Sequence, residues 1–333
     1  MTSWPTCFKQ RRWRLTSKPP TEAAARPSVT QGTDHPFNPK NSSADHFPGA
    51  HRTGSCSIMS NGMPQSAKVL TVDTARLGAL ARRLLDLHRP GNPLVLINAW
   101  DVASAKSVES AGAAAVATSS AAIAQANGVQ DDNTAGELAF ESLRAIADHV
   151  TVPVTADLEG GYGLSGPDLV EALLNAGAVG CNIEDTDHVT GNRLLDADEH
   201  ASYLAEIRSA ATSAGVAVVI NARIDTIIQH PRRDASEVLT ETVRRARMYM
   251  AAGADCVYPI GLNDPAIVKE LVDTLGTPVN ANPSPALSAL AAAGAARIST
   301  GAGTYRLMLA DLERSAKLMF AAASSSGALG GSE

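Results

Sequence analysis

The sequence predicts a (β/α)8 barrel of the TIM type, placed after a disordered basic leader. Three observations carry the prediction. From about residue 70, short β-rich runs alternate with Ala/Leu-rich helical stretches, eight of each in about 250 residues. Several helical stretches close on a small-residue phrase before the next run: Ser110-Ala-Gly112, Asn175-Ala-Gly177, Ala252-Gly253 and Ala293-Gly294. Gly suits the left-handed position just past a helix end. No dinucleotide fingerprint follows the first run, which counts against the runner-up, a doubly wound open sheet.

Residues 1–62 form the predicted leader. Over residues 1–58 eight Lys/Arg face three acids, a net +5, which leaves −11 on the rest of the chain. The leader is rich in Pro, Ser and Thr and has no hydrophobic period, so it cannot bury enough apolar surface to order itself. It also lacks the apolar centre of a secretory signal. Its basic, acid-poor character is closer to a disordered leader, or to sequence upstream of a start at Met59 or Met63, than to an organelle transit peptide.

Residues 63–325 form the expected catalytic barrel. An opening helix spans about Val72–His88 and stops at Pro90-Gly91. The strand runs are Leu94–Asn98, Ala114–Thr118, Val152–Asp157, Val179–Glu184, Ala217–Arg223, Asp255–Pro259, Pro278–Ala281 and Ala296–Ser299. Helices are expected near 102–111, 134–149, 165–176, 197–214, 234–252, 263–275, 284–293 and 303–323. Residues 326–333 read as a disordered tail.

Composition narrows the function. Hydrophobic residues are 44% and aromatics 4%, so the core must be built from Ala, Val, Leu and Ile. A net charge of −6 excludes a generally basic nucleic-acid binder. Four Cys without a CxxC spacing exclude a disulfide scaffold and a zinc ribbon; Cys181 and Cys256 read as core thiols. No apolar run reaches the ~18 residues of a transmembrane helix, and a cytoplasmic location is expected.

In barrels of this class, chemistry collects at the C-terminal strand ends. The third run ends Thr155-Ala-Asp157-Leu-Glu159, the fourth Asn182-Ile-Glu184-Asp185 and the fifth Asn221-Ala-Arg223-Ile-Asp225. Residues two apart on a strand point to the same side, and neighbouring strands lie ~4.8 Å apart. Asp157, Glu159 and Glu184 are therefore expected to converge at one mouth, with Arg223 beside them. Such acids repel one another unless a hard cation neutralises them, and Mg2+ takes oxygen ligands while leaving room for an anionic substrate. Mn2+ is an expected substitute. Zinc is disfavoured because no His/Cys cluster accompanies the acids.

The same stretches carry a resemblance. Asn98-Ala-Trp-Asp101, Ala117-Thr-Ser-Ser-Ala121, Gly128-Val-Gln-Asp131, Ala156-Asp-Leu-Glu-Gly-Gly-Tyr-Gly163, Asn182-Ile-Glu-Asp185 and Asn221-Ala-Arg-Ile-Asp225 resemble phrases of the isocitrate lyase/phosphoenolpyruvate mutase superfamily, in its order and spacing. Glu159 stands where that family usually has Asp. The resemblance implies that Asp157, Glu159 and Glu184 hold Mg2+, directly or through waters. It implies that Arg223 binds a substrate carboxylate or phosphonyl group, bidentately if geometry allows. It makes Ser119, Ser120 and Ala121 the anion pocket, with Asp131, Arg223 and Ser119 catalytic and Asp157 also reaching the substrate. Asp131 would be a mechanistic carboxylate on a gating loop; its other reading is a cap for the helix opening near Thr134. The resemblance also implies a homotetramer built as a dimer of dimers, with the last helix exchanged between partners. The sequence supports a wide apolar face there, with Leu309, Leu312, Ala316 and Met319 on one stripe and Leu307, Met308 and Phe320 beside it. The alternative is a helix packed on its own barrel.

Departures from the family limit the reaction. The loop after Glu184 reads Asp185-Thr-Asp-His188 and has no Cys, whereas the lyases use a Cys there as acid/base. The mutases carry a Trp where Ala117 stands and a Lys where Thr186 stands. His188 is a candidate general acid, against a plain solvent-facing His. Gly301-Ala-Gly303 opens the last helix, where other barrels bind phosphate esters. The expected function is a Mg2+-dependent carbon–carbon lyase or hydrolase acting on a small anionic 2-oxo acid through an enolate, with no nucleic-acid or membrane partner. The rivals are a phosphonopyruvate or carboxyphosphonate mutase and a non-catalytic barrel.

Overall fold

The computed structural model describes residues 73–130, 136–188, 191–230, 234–284 and 286–325. The chain divides between Ser66 and Ala67, and all described residues belong to the second unit. The expected leader, the tail 326–333 and Asp131 lie outside the described residues.

The strands are β1 (Leu94–Leu96), β2 (Asn98–Ala99), β3 (Val116–Thr118), β4 (Val154–Asp157), β5 (Gly180–Glu184), β6 (Thr186–Asp187), β7 (Arg193–Leu194), β8 (Val219–Ile224), β9 (Cys256–Pro259), β10 (Asn280–Ala281) and β11 (Arg297–Ser299). Only Ile97 separates β1 from β2, so the two form one barrel stave. One parallel sheet runs β2-β3-β4-β5-β8-β9 and a second runs β1-β11-β10. A parallel bridge pairs Val257 with Val279 and joins β9 to β10. The ring therefore closes on eight parallel staves, as the alternating pattern predicted. Pairs β6–β7 form a small antiparallel hairpin outside the ring.

The helices are α1 (Thr74–Asp86), α2 (Val102–Ser110), α3 (Ser120–Ala126), α4 (Gly136–Ala147), α5 (Gly166–Asn175), α6 (Ala197–Ser213), α7 (Thr226–Gln229), α8 (Ala235–Ala251), α9 (Pro265–Leu275), α10 (Leu287–Ala292) and α11 (Gly303–Ser325). Local chemistry sets many of their starts. Asp101 and Ser104 form a capping box on α2, and Asp196 accepts from the N–H groups of Asp198 and Glu199 on α6. Pro167 and Pro265 sit in the first turns of α5 and α9, where a missing N–H costs nothing. Small residues close the other ends. Gly253 and Gly294 have φ of 106° and 92°, and an added Cβ would stand 2.7 Å from Arg208 Cγ and 2.9 Å from Val272 Cγ1.

Helices cover the outer face and side chains fill the inside, so β3 and β5 are buried along their whole length. Cys181 and Cys256 are buried free thiols, and burial pushes both up to about 12. The inner layers are polar as well as small: Asn98, Thr155, Asn182, Asn221, Asn280, Arg297 and Ser299 are all buried. No helix among the described residues is long and apolar enough to cross a membrane.

Candidate active site

Three adjacent staves place the expected charged residues. Asp157 ends β4, Glu184 ends β5, Arg223 lies near the end of β8 and pairs in register with Glu184. The alternation of the strands puts Thr155/Asp157, Asn182/Glu184 and Asn221/Arg223 on one face. Glu159 follows β4 in a left-handed conformation with φ of 49°, and its side chain is buried. A non-glycine residue held there is strained by about 1 kcal/mol or more, and such strain gathers at functional sites.

Arg223 is the hub. Its Nε and Nη2 donate to Asp225 Oδ1 and Oδ2 at 2.7 and 3.0 Å, and its Nη1 pairs with Glu184 Oε2. Three of the five N–H groups of a guanidinium are thus engaged, leaving two for an anion. Burial opposes the Arg223 charge, but Glu184, Asp225 and Asp157 outweigh it and raise its pKa. The other Glu184 oxygen faces His188 Nε2, whose ring Nδ1 meets Asn192 Oδ1 at 2.8 Å. Burial pushes the Glu184 carboxyl up, against the pull of Arg223 and His188. The bond to Glu184 lifts His188 to about 9, so this ring is an imidazolium at neutral pH. A solvent-facing His188 is therefore corrected: its side chain is 19% exposed and turned onto Glu184.

Asp157 Oδ2 accepts from the Ser120 N–H and hydroxyl at 3.3 and 3.2 Å, and Thr118 Oγ1 accepts from the Asp157 N–H at 3.0 Å. Ser119 is buried and caps α3, with Oγ accepting from Ala122 N–H at 3.4 Å. Ser119, Ser120 and Ala121 thus form the turn from β3 into α3 beside Asp157. Among the described residues, no three His, Cys, Asp or Glu side chains stand together as a direct metal cage. The hard-oxygen donors and the buried Glu184 charge fit Mg2+ held by few protein oxygens and several waters. They do not fit zinc.

A buried frame behind the mouth was not read from the sequence. Asp185 Oδ1 accepts from Asp225 N–H at 2.8 Å, while its Oδ2 accepts from Arg245 Nη1 at 3.0 Å and Tyr249 OH at 2.7 Å. Thr186 Oγ1 donates to Asp225 Oδ2 at 2.8 Å. Asp225 is thereby fixed as the clamp on Arg223. The signal was a second acid directly after Glu184 and another two residues after Arg223. The loop at Gly301 offers less than its glycines suggested. Asn98 Oδ1 accepts from Thr300 N–H and Gly301 N–H at 3.1 and 2.9 Å, so those donors are already spent.

Comparison with known proteins adds the following. Residues 84–320 match the family described as phosphoenolpyruvate phosphomutase. An uncharacterized protein of Mycobacterium tuberculosis is 33% identical over 222 residues, which cover 66% of this chain and 82% of that protein. The 2-methylisocitrate lyase of Escherichia coli is 26% identical over 220 residues, covering 60% of this chain and 71% of the lyase. Among solved structures, a protein of Burkholderia cenocepacia described as a candidate phosphonomutase is 40% identical, with a TM-score of 0.67. That match covers 73% of this chain and 99% of the other.

Proposed function

Because the chain belongs to the phosphoenolpyruvate phosphomutase family, we propose that it is a Mg2+-dependent enzyme cleaving a carbon–carbon bond in a small anionic 2-oxo acid or a related carboxylic acid. The carrying observation is Glu184 buried between Arg223 and His188 at the ends of adjacent staves. Asp157 would hold the metal, with Glu159 and Glu184 through waters, and Mn2+ would substitute. When bound, Mg2+ supplies Lewis-acid stabilisation of enolate charge.

The protein's own groups supply the rest. The two free N–H groups of Arg223 orient a substrate carboxylate, and Asp225 fixes the plane of the guanidinium. The Ser119–Ala121 turn lines the anion pocket. His188 Nε2 carries a proton at the mouth in a loop without cysteine, so it is the group positioned to donate to a leaving carbanion. Asp131, outside the described residues, is retained as a catalytic carboxylate on the family resemblance alone. A P–C mutase is the second reading; its support is the similarity to the Burkholderia protein. Against it, Ala117 and Thr186 replace the family's Trp and Lys, and the Thr186 hydroxyl is bound to Asp225.

The test is turnover on a panel of oxaloacetate-like and 2-alkylmalate-like acids, with phosphorus NMR on phosphonates in parallel. Magnesium-dependent carbon–carbon cleavage supports the proposal. Phosphonate rearrangement alone replaces it with the mutase, and bound magnesium without any turnover favours a non-catalytic barrel. The proposed assembly is a dimer of dimers in the cytoplasm.

A further inference from the structure

Beneath the mouth, the barrel floor holds a charge that the reaction does not use. Arg297 starts β11 and is fully buried. Its Nη2 donates to Asn182 Oδ1 at 3.0 Å, but Nε and Nη1 have no partner, and among the described residues no carboxylate pairs with it. A guanidinium stays protonated in a protein, so burial does not relieve the charge by neutralising it. A buried charge left in this state is costly unless something else solvates it.

Among the described residues, three further buried atoms also lack partners: His88 Nε2, Thr155 Oγ1 and Asn221 Oδ1. Short links connect these groups. Asn182 Oδ1 accepts from both Arg297 Nη2 and Asn221 Nδ2, the latter at 2.7 Å. Thr155 pairs in register with Gly180, two residues before Asn182. Gly180 lets Leu84 and Thr155 pack closely in this layer: a Cβ there would stand 2.7 Å from Leu84 Cδ2 and 3.1 Å from Thr155 Oγ1. His88 follows the same helix as Leu84 and bonds its carbonyl through Nδ1 at 2.9 Å. Burial and then the nearby Arg297 charge hold His88 down to about 4, so the ring is neutral.

The donor and acceptor count identifies the ligand. Arg297 Nε and Nη1 are donors. His88 donates from Nδ1, so its Nε2 presents a lone pair, and Asn221 Oδ1 is an acceptor. Thr155 Oγ1 does both. A small anion would satisfy Arg297 but would face two lone pairs. A water accepts from one side and donates to the other, and buried waters commonly make ~3 such bonds. We propose that the barrel floor is a built site for ordered water, a small cluster that bridges Arg297 to His88, Thr155 and Asn221. The α1 end of the barrel and the layer below Glu184 and Arg223 are thus joined through solvent rather than through a counter-ion.

The test uses the full chain. Crystals grown in bromide give anomalous data at the floor, and oxygen-17 relaxation dispersion counts long-lived internal waters in solution. The expected result is one or more waters bonded to Arg297 Nε or Nη1, no bromide peak, and a lower count of long-lived waters in Arg297→Met. If that variant does not fold, Thr155→Val, which removes one hydroxyl at nearly constant volume, should lower the count instead. A bromide peak at Arg297 would overturn the proposal in favour of an anion site. A dry floor with Arg297 bonded directly to His88 or Asn221 would also overturn it, as would an unchanged count in Thr155→Val.

Discussion

Asp157 sits at a strand end and contributes hydrogen bonds rather than core volume. Asp157→Ala is expected to abolish magnesium-dependent turnover while shifting Tm by no more than about 2 °C, because such positions cost little stability. Wild-type turnover by the variant in excess EDTA would remove the metal from the mechanism. His200 makes a different kind of prediction. It is buried, both ring nitrogens lack partners among the described residues, and its ring meets Tyr249 edge-on at 4.8 Å. Burial and then Arg245 hold it down to about 3. A depressed imidazole stays neutral in the fold, while the unfolded chain binds a proton below the ordinary imidazole value of 6.5. Its contribution is full above that pH and is lost as pH falls toward 3, by about 1.4 kcal/mol per pH unit. His200→Phe should flatten the fall in urea-unfolding stability between about pH 6 and pH 4 by that amount; an unchanged slope would contradict a neutral buried ring. The acids and Arg223 were legible because each ends an apolar run. Arg297 was not, since one Arg inside Ala-Ala-Arg-Ile-Ser gives no sign of which way a strand turns it.

Helices α5 and α6 meet closely at Gly166. A Cβ there would meet Glu206 Cβ at 2.6 Å and the backbone of Glu206 and Ile207 at 2.8 Å. Backbone cannot yield as a flexible side chain does, so Gly166→Ala is expected to cost about 1–3 kcal/mol in denaturant unfolding without altering the mouth. A loss below the error of the measurement would mean that the two helices slide apart freely. At this scale the sequence was highly readable: each expected strand run overlaps an observed strand, because buried parallel strands appear as short apolar runs between helix-length stretches. The elements it missed are short. Helix α3 has seven residues and α7 four, too few for a period, and β6–β7 is a two-residue hairpin. Ser119 ahead of an Ala-rich stretch was a capping signal that the anion-pocket reading absorbed.

The whole chain ends its described part on α11, whose outer half finds little to pack against. Leu312, Leu318, Met319 and Phe320 are 64%, 67%, 72% and 66% exposed. Leu309 and Ala316 of the expected stripe are half-buried, and the exposed face beyond them is the surface that the proposed exchange of the last helix would cover. Truncation after Gly301 should give smaller species in sedimentation and light scattering, with poorer solubility. A full-length protein sedimenting as a monomer at micromolar concentration would exclude the exchanged helix. The ring itself is not uniformly stitched. Five ladders bind β2 through β9 into one sheet, whereas a single bridge between Val257 and Val279 joins that sheet to β10. Asp157, Glu184 and Arg223 are all mounted on the five-ladder arc, so continuous backbone pairing, and not the Val257–Val279 joint, sets the spacing of the charges at the candidate site.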